Sequence, residues 1–173
     1  MREIFIRSLL PGDEESFYRI YSDMDLCLSS GSGPVSNMAQ AKEKLDRLSQ
    51  MQDSFAIVET ATMQVIGVIS LRKDIHRFNP KAYMLGYVLD RRYWGKGLMP
   101  QAVNYMVKFA CMNMGADVVS AAHFVGNDRS RRVLEKCGFT YEGTMRRDYH
   151  RFDGAVLDSC IYSILYEEFL NRQ

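Results

Sequence analysis

Tyr83-Met-Leu-Gly-Tyr-Val-Leu-Asp-Arg-Arg-Tyr-Trp-Gly-Lys-Gly-Leu-Met99 is the stretch whose reading decides the fold. Tyr83, Leu85, Tyr87 and Leu89 alternate with Met84, Gly86 and Val88, so apolar residues stand on both faces of a period of two. That pattern predicts a strand buried on both sides. The chain then passes through Arg92-Tyr-Trp-Gly95-Lys-Gly97, and from Leu98 the spacing becomes helical. Leu98, Ala102, Tyr105, Met106, Phe109 and Ala110 are expected on one buried helix face.

A strand, a glycine turn and a helix start together make an anion site. The first N–H groups of a helix have no partner within it, and the macrodipole adds positive charge there. Gly95 and Gly97 lack Cβ, which lets a phosphate approach the backbone and opens positive φ. Arg92 and Lys96 supply mobile positive charge, and Pro100 falls in the first helical turn, where a missing N–H costs little. A bare G-x-G also serves ordinary β-turn-α connections. Here the flanking strand, the two basic residues and the long helix favour a diphosphate cradle.

Two familiar phosphate loops are excluded. The chain has no G-x-x-x-x-G-K-[ST], and Pro100 stands where a dinucleotide fingerprint has its third glycine. Asp117 lies about twenty residues on, but it precedes the next strand instead of ending it. The pattern present, R-x-x-G-x-G as Arg92-x-x-Gly95-x-Gly97, resembles the coenzyme A pyrophosphate loop of the GNAT superfamily of N-acetyltransferases. Tyr93-Trp94-Gly95-Lys96-Gly97-Leu98-Met99 is similar to the branch of the ribosomal-protein N-terminal acetyltransferases RimJ and RimL. That branch usually has a glutamate a few residues into the helix, where this chain has Pro100-Gln101-Ala102.

A second motif extends the resemblance. Residues 127–143 carry N-x-x-S-x-x-V-L-E-K-x-G-F-x-x-E-G, which resembles the coenzyme-binding and release half of the same family. The resemblance implies that Asn127 meets the pantetheine arm, an amide having both donor and acceptor for an amide-rich ligand. Plain N-capping is an equal reading for Asn127. Arg129, Arg131 and Arg132 are candidates for the ribose phosphate, Arg132 foremost, or simply exposed charge. Ser130 is the implied partner of the leaving thiolate, although serine near a helix start commonly bonds local backbone. With Val88, Leu89, Arg92, Gly95, Lys96, Gly97, Leu98 and Met99, the residues Asn127 and Arg132 make up the expected acetyl-CoA contacts.

Length and composition bound the rest. At 173 residues the chain has the size of one domain, taken as 1–173. Hydrophobic content of 47% and charged content of 25% suit a soluble globular protein. Lys+Arg of 22 against Asp+Glu of 21 leaves a net charge of +1, so nothing argues for a nucleic-acid surface. No apolar run is long enough to span a bilayer, and Met1-Arg-Glu-Ile-Phe-Ile-Arg7 enters a strand-like pattern at once with no signal-peptide core. Cys27, Cys111, Cys137 and Cys160 form no C-x-x-C pair, which points to inert thiols in the cytoplasm. His76, His123 and His150 lack ligand spacing, so no metal is expected.

In order, Glu3–Leu9 reads as a strand, and Pro11-Gly12-Asp13 as a turn opening a helix with Phe17, Ile20 and Tyr21 inward. Residues 24–37 read as a turn-rich loop of the kind that forms lids or mere connections. Ser36 is the expected cap of a helix to about Ser49, and Ser54–Thr60 with Val65–Leu71 form a hairpin. After the phosphate helix come a strand at Asp117–His123, giving a right-handed parallel crossover, and a helix capped by Asn127 or Asp128 and stopped at Gly138. Thr140–Arg151 and Val156–Leu165 flank Asp153-Gly154, a hairpin signal. Glu142 is assigned to an E-G turn. The order matches an α+β (mixed α/β), GNAT-like fold: a central twisted mixed sheet of about six or seven strands flanked by about four helices.

Acyl transfer from a thioester to an amine needs a neutral amine, a polarised carbonyl and a thiolate able to leave. A backbone N–H near Val88 or Leu89 is the expected oxyanion donor. The resemblance implies direct attack in a ternary complex, so Cys111 and Cys137 are not expected to act as nucleophiles. Asp148 is the first choice of base and His150 the second, although exposed polar residues of a hairpin read equally well. The expected activity is acetyl-CoA-dependent transfer to a primary amine of a peptide N-terminus or a small molecule. A non-catalytic acyl-CoA-binding domain and another α/β nucleotide enzyme are the alternatives. The acceptor amine and the oligomeric state stay open, a homodimer being compatible.

Overall fold

The computed structural model describes residues 3–172. The strand-like start expected at Met1 and Arg2, and the outer ends of a 1–173 domain, fall outside the described residues. In chain order the elements are β1 (Ile4–Ser8), α1 (Glu14–Tyr21), α2 (Met24–Ser30), α3 (Met38–Met51), β2 (Ser54–Glu59), β3 (Val65–Lys73) and β4 (Ala82–Leu89). A 3₁₀ turn (Arg91–Tyr93) follows, then α4 (Leu98–Asn113), β5 (Val118–Phe124), α5 (Asp128–Lys136), β6 (Thr140–His150), β7 (Val156–Leu165) and α6 (Tyr166–Leu170). Among the described residues this is a mixed α/β fold with six α-helices and a seven-stranded sheet in the order β1-β2-β3-β4-β5-β7-β6. The chain groups into two compact units.

The first unit holds the residues up to Ser70, Tyr87–Leu98 and Arg151–Asp153. Its core gathers Phe17, Ile20, Tyr21, Leu45, Val58, Val68 and Val88, the first three being the face expected of α1. Asp13 opens α1 while its carboxylate accepts from both terminal nitrogens of Arg7 at 2.8 Å and from the Leu10 N–H at 2.9 Å. The stretch 24–37 differs from the loop expected of it. Asp23 accepts from the Leu26 N–H at 3.2 Å and caps a seven-residue helix, α2. Burial of Leu26 and Cys27 holds that helix, and Gly31, at φ 76°, ends it. The cap of α3 is Asn37, one residue beyond the expected Ser36, accepting from Gln40 at 2.9 Å.

The second unit holds Leu71–Gly86, Met99–His150 and the residues from Gly154 on. Ala82 to Leu85 of β4 pair in parallel with Val118 to Ala121 of β5. On α4 the buried positions are Leu98, Met99, Ala102, Val103, Met106, Val107, Ala110 and Cys111. Of the expected face, Leu98, Ala102, Met106 and Ala110 are buried, but Tyr105 is 54% exposed and Val103 and Val107 widen the buried face instead. A tyrosine with a polar tip tolerates water, whereas β-branched valines do not gain from it. Cys137 and Gly138 stop α5 as expected, the Phe139 N–H donating back to the Leu134 carbonyl at 3.0 Å. Glu142 is not a turn residue. It lies in β6 beside a register shift, where Ser163 Oγ donates to it at 2.7 Å and Arg77 pairs with it.

Arg77 also reaches Asp74 at 3.1 Å, and Ser120 Oγ donates to Asp74 at 2.5 Å. This polar chain, buried at Asp74, Ser120 and Ser163 and open to water at Glu142, ties β5, β6 and β7 to the segment after β3.

One close approach makes a testable demand. A Cβ placed on Gly67 of β3 would stand 2.5 Å from the Val88 carbonyl oxygen of β4, with Leu89 and Ile57 methyls just beyond. Backbone cannot yield as a flexible side chain can. Gly67→Ala should lower unfolding stability by about 1–3 kcal/mol, read as a drop in the urea midpoint; an unchanged midpoint contradicts the close approach.

Candidate functional site

The first unit contains Val88, Leu89, Arg92, Gly95, Lys96, Gly97 and Leu98. A strand that ends in a glycine loop needs its end pinned, and three neighbouring residues do this. Asp90 is buried, donates its N–H to the Ile66 carbonyl at 2.8 Å and accepts the Arg92 N–H at 3.0 Å, which sets the 3₁₀ turn. Tyr93 is buried with its hydroxyl 3.3 Å from Glu59. Trp94 Nε1–H donates to the Leu89 carbonyl at 2.7 Å. Beyond these anchors Gly95 and Gly97 adopt φ of 72° and 74°. Leu98 and Met99 then turn inward as α4 begins.

Alternation along β4 separates the two residues expected to polarise a carbonyl. The Val88 carbonyl stands against Gly67, and the Asp90 N–H bonds Ile66, so residues 88 and 90 face β3. Successive residues of a strand present their backbone groups to opposite edges. Leu89 therefore faces away from β3 and Val88 is the less suitable donor.

Arg92 differs from the mobile charge expected of it. Its guanidinium lies on the Asp90 carboxylate, at 3.1 and 2.7 Å, and Arg19 Nε reaches the same carboxylate at 3.0 Å. Burial pushes the Asp90 carboxyl up. Bonds from Arg92, side chain and backbone, and from Arg19 outweigh that, and it lies below the usual carboxylate range. The Lys96 ammonium bonds the Arg92 carbonyl and sits 5.1 Å over the Tyr93 ring. Neither Asp90 nor Arg19 was singled out from the sequence. The Asp-Arg-Arg at a strand end signals the turn, but nothing local signals a partner 71 residues away.

Met99, Asn127, Ser130, Arg132 and Asp148 belong to the second unit. Asn127 caps α5, its side-chain oxygen accepting the Ser130 N–H at 3.2 Å, so the capping reading holds. Ser130 is half-buried in the first turn and Arg132 is exposed. Arg131 is committed to its own helix, 3.1 Å from Asp128 and 3.0 Å from Glu135. Asp148 stands half-exposed where the β6–β7 register shifts between Met145 and Tyr149. Its neighbour Arg147 takes φ 54° and donates its N–H to Asp158 at 2.8 Å. His150 is exposed at the strand's end.

A family profile described as "Acetyltransferase (GNAT) domain" matches residues 3–140. The chain belongs to the GNAT acetyltransferase family. The probable N-acetyltransferase YjcK of Bacillus subtilis is 30% identical over 133 residues, 77% of this chain and 71% of that protein. The ribosomal protein uS5-alanine N-acetyltransferase of Escherichia coli is 26% identical over 110 residues, 64% and 56% of the two chains. Among solved structures, a GNAT-family acetyltransferase from Bacillus anthracis overlays with a TM-score of 0.85 at 23% identity, covering 97% of this chain and 98% of that one. The spermidine N-acetyltransferase of Vibrio cholerae in complex with CoA and spermine does so at 0.79 and 16%, with the same coverage.

GNAT enzymes use acetyl-CoA, and the loop's residues fit its diphosphate. A Cβ added at Gly95 or Gly97 meets nothing within 4 Å, so open space lies before both left-handed glycines. Arg92 and Lys96 are exposed beside them. Among the described residues no helix is long and apolar enough to cross a membrane, and no cluster of three His, Cys, Asp or Glu side chains is arranged to hold a metal ion.

The thiols of this GNAT chain are poorly suited to attack. All four cysteines are free, and Cys27, Cys111 and Cys137 are buried. Burial pushes the Cys27 and Cys137 thiols up to about 11, and Cys111 also upward. A thiol so raised stays protonated at neutral pH, and the thiolate is the nucleophile. In the folded protein at pH 8, Ellman's reagent should titrate half-buried Cys160 first and the other three only after unfolding. Rapid modification of Cys137 in the native state contradicts this.

Proposed function

We propose that the chain moves the acetyl group of acetyl-CoA to a primary amine by direct attack in a ternary complex, acting as one acetyltransferase domain. The observation that carries the reading is the pair of left-handed glycines with open space before them, running straight into α4. Unpaired N–H groups there, with Lys96 and Arg92, suit two linked phosphates.

The coenzyme supplies an activated acyl thioester; the chain binds, orients and moves protons. We assign the Leu89 N–H to the developing oxyanion, since Leu89 faces away from β3 and oriented amides stabilise such charge without reorganising. Asn127 offers an amide to the pantetheine arm, and Arg132, exposed on α5, offers charge to the ribose phosphate. Ser130 Oγ–H donates to the departing thiolate. Asp148 takes the proton of the attacking amine, its backbone set by the left-handed turn at Arg147.

For the acceptor we favour a peptide N-terminus, in the manner of the RimJ/RimL branch, with a small polyamine next. The Tyr93-Trp94-Gly95-Lys96-Gly97 string and the relative that acts on an alanine of ribosomal protein uS5 support the first. The neighbour crystallised with spermine supports the second. Free thiols throughout suit a cytoplasmic home.

The test is release of free thiol from acetyl-CoA against peptide N-termini, polyamines, amino acids and aminoglycosides, with mass analysis locating the acetyl group. Replacing both Gly95 and Gly97 by Val should weaken coenzyme A binding by at least about tenfold while the chain still folds, since a β-branched residue resists positive φ and fills the cradle. Unchanged affinity sinks the reading.

A further inference from the structure

Asp90 carries more positive charge than it needs. Its side chain is only 5% exposed, and two guanidiniums share it. Arg19 is held on several sides: Nε on Asp90 at 3.0 Å, and its terminal nitrogen on the Val65 carbonyl at 2.7 Å and Ser16 Oγ at 3.2 Å. Arg92 is the more exposed of the two, at 58% against 28%. Its planar fork, lying on a carboxylate here, matches a phosphate equally well. One cation suffices to neutralise one buried carboxylate; stripped of both, Asp90 would be a stranded charge.

We propose that Asp90 and Arg19 are positioning residues of the phosphate loop: Asp90 restrains Arg92 in the free protein, and Arg19 stays behind as its counter-charge when Arg92 turns to the diphosphate. This deepens the coenzyme reading above and rests on it. Arg19 then governs coenzyme affinity without touching the coenzyme, because it makes Arg92 free to leave. The Asp90 Oδ1 bond to the Arg92 N–H is a separate turn bond, which an asparagine retains.

Calorimetric titration with coenzyme A of the wild type, Arg19→Gln, Asp90→Asn and the double variant tests it, with folding checked by thermal melts. Arg19→Gln should weaken binding about tenfold, because Arg92 becomes the sole counter-charge of Asp90. Asp90→Asn should bind about threefold tighter or better, the competing carboxylate being gone. The double variant should regain at least wild-type affinity. If the two sites only support the fold, both single variants weaken binding and the double variant is weakest; that result overturns the proposal. Should Arg19→Gln fail to fold, Asp90→Asn alone decides, and equal or weaker binding overturns it. Wild-type protein that does not bind coenzyme A overturns the functional reading and this one together. Wild-type binding without rescue overturns this one alone.

Discussion

A carboxylate buried where β4 ends sets the terms for the loop beyond it. A strand is held along its length by neighbours, but its last residue has nothing ahead of it to fix the direction of the chain. Asp90 supplies that fixation through its backbone to Ile66 and through its side chain to the Arg92 N–H and to two guanidiniums. Tyr93 and Trp94 then turn back, one to Glu59 and one to the Leu89 carbonyl. The result is a loop with a rigid base and an open top. Gly95 and Gly97 can hold positive φ with no side chain in the way, and their conformation is not left to chance because the three preceding residues are anchored.

The same strand solves a second problem through its edges. Gly67 lets the Val88 carbonyl approach β3 more closely than any side chain would permit. That contact commits residues 88 and 90 to one edge and leaves the other edge to Leu89. The alternation of backbone groups along β4 sets which amide faces away from β3, and Gly67 only lets the two strands come close. The charge pattern follows similar logic: a buried carboxylate is affordable here because Arg19 is fixed beside it by two further acceptors.

How much of this was legible in the chain depends on the range of the interaction. Period-two and period-3.6 patterns found β4 and α1, while the cap at Asn127, the stop at Gly138 and the Asp153-Gly154 turn found α5 and the β6–β7 hairpin, because all of these are local signals. Glycine with its positive φ was equally local, so Gly95, Gly97 and Gly138 were placed correctly. What failed was of two kinds. In and just after α2 the serines and the glycines at 31 and 33 read as turn formers, while its two buried residues, Leu26 and Cys27, are too few to show a period. On α4 apolar residues ring so much of the helix that the buried face could not be told from its neighbour, and Tyr105 was placed inward where Val103 belongs. Pairing was invisible altogether. Arg92 looked free because its partner's burial, and Arg19 from a distant helix, exist only in the fold.

Two irregularities in β6 show why acidic residues of similar appearance serve different ends. A register shift adds a residue to one strand and re-aims the side chains around it. At the first shift Glu142 has its oxygens engaged by Ser163 and Arg77, and it ends a polar chain that reaches Asp74 and Ser120. Such a carboxylate is engaged in structure, although at 37% exposure water still reaches it. At the second shift the position of Asp148 comes from the backbone, through the left-handed Arg147 held by Asp158. A group aimed by its main chain keeps its side-chain oxygens for other work. Asp90 lies between these cases: its backbone bonds fix the turn, while one of its two arginines is surplus to neutralising it. That distinction separates Glu142, whose carboxylate is bound by Ser163 and Arg77, from Asp148, the residue proposed above to take the proton.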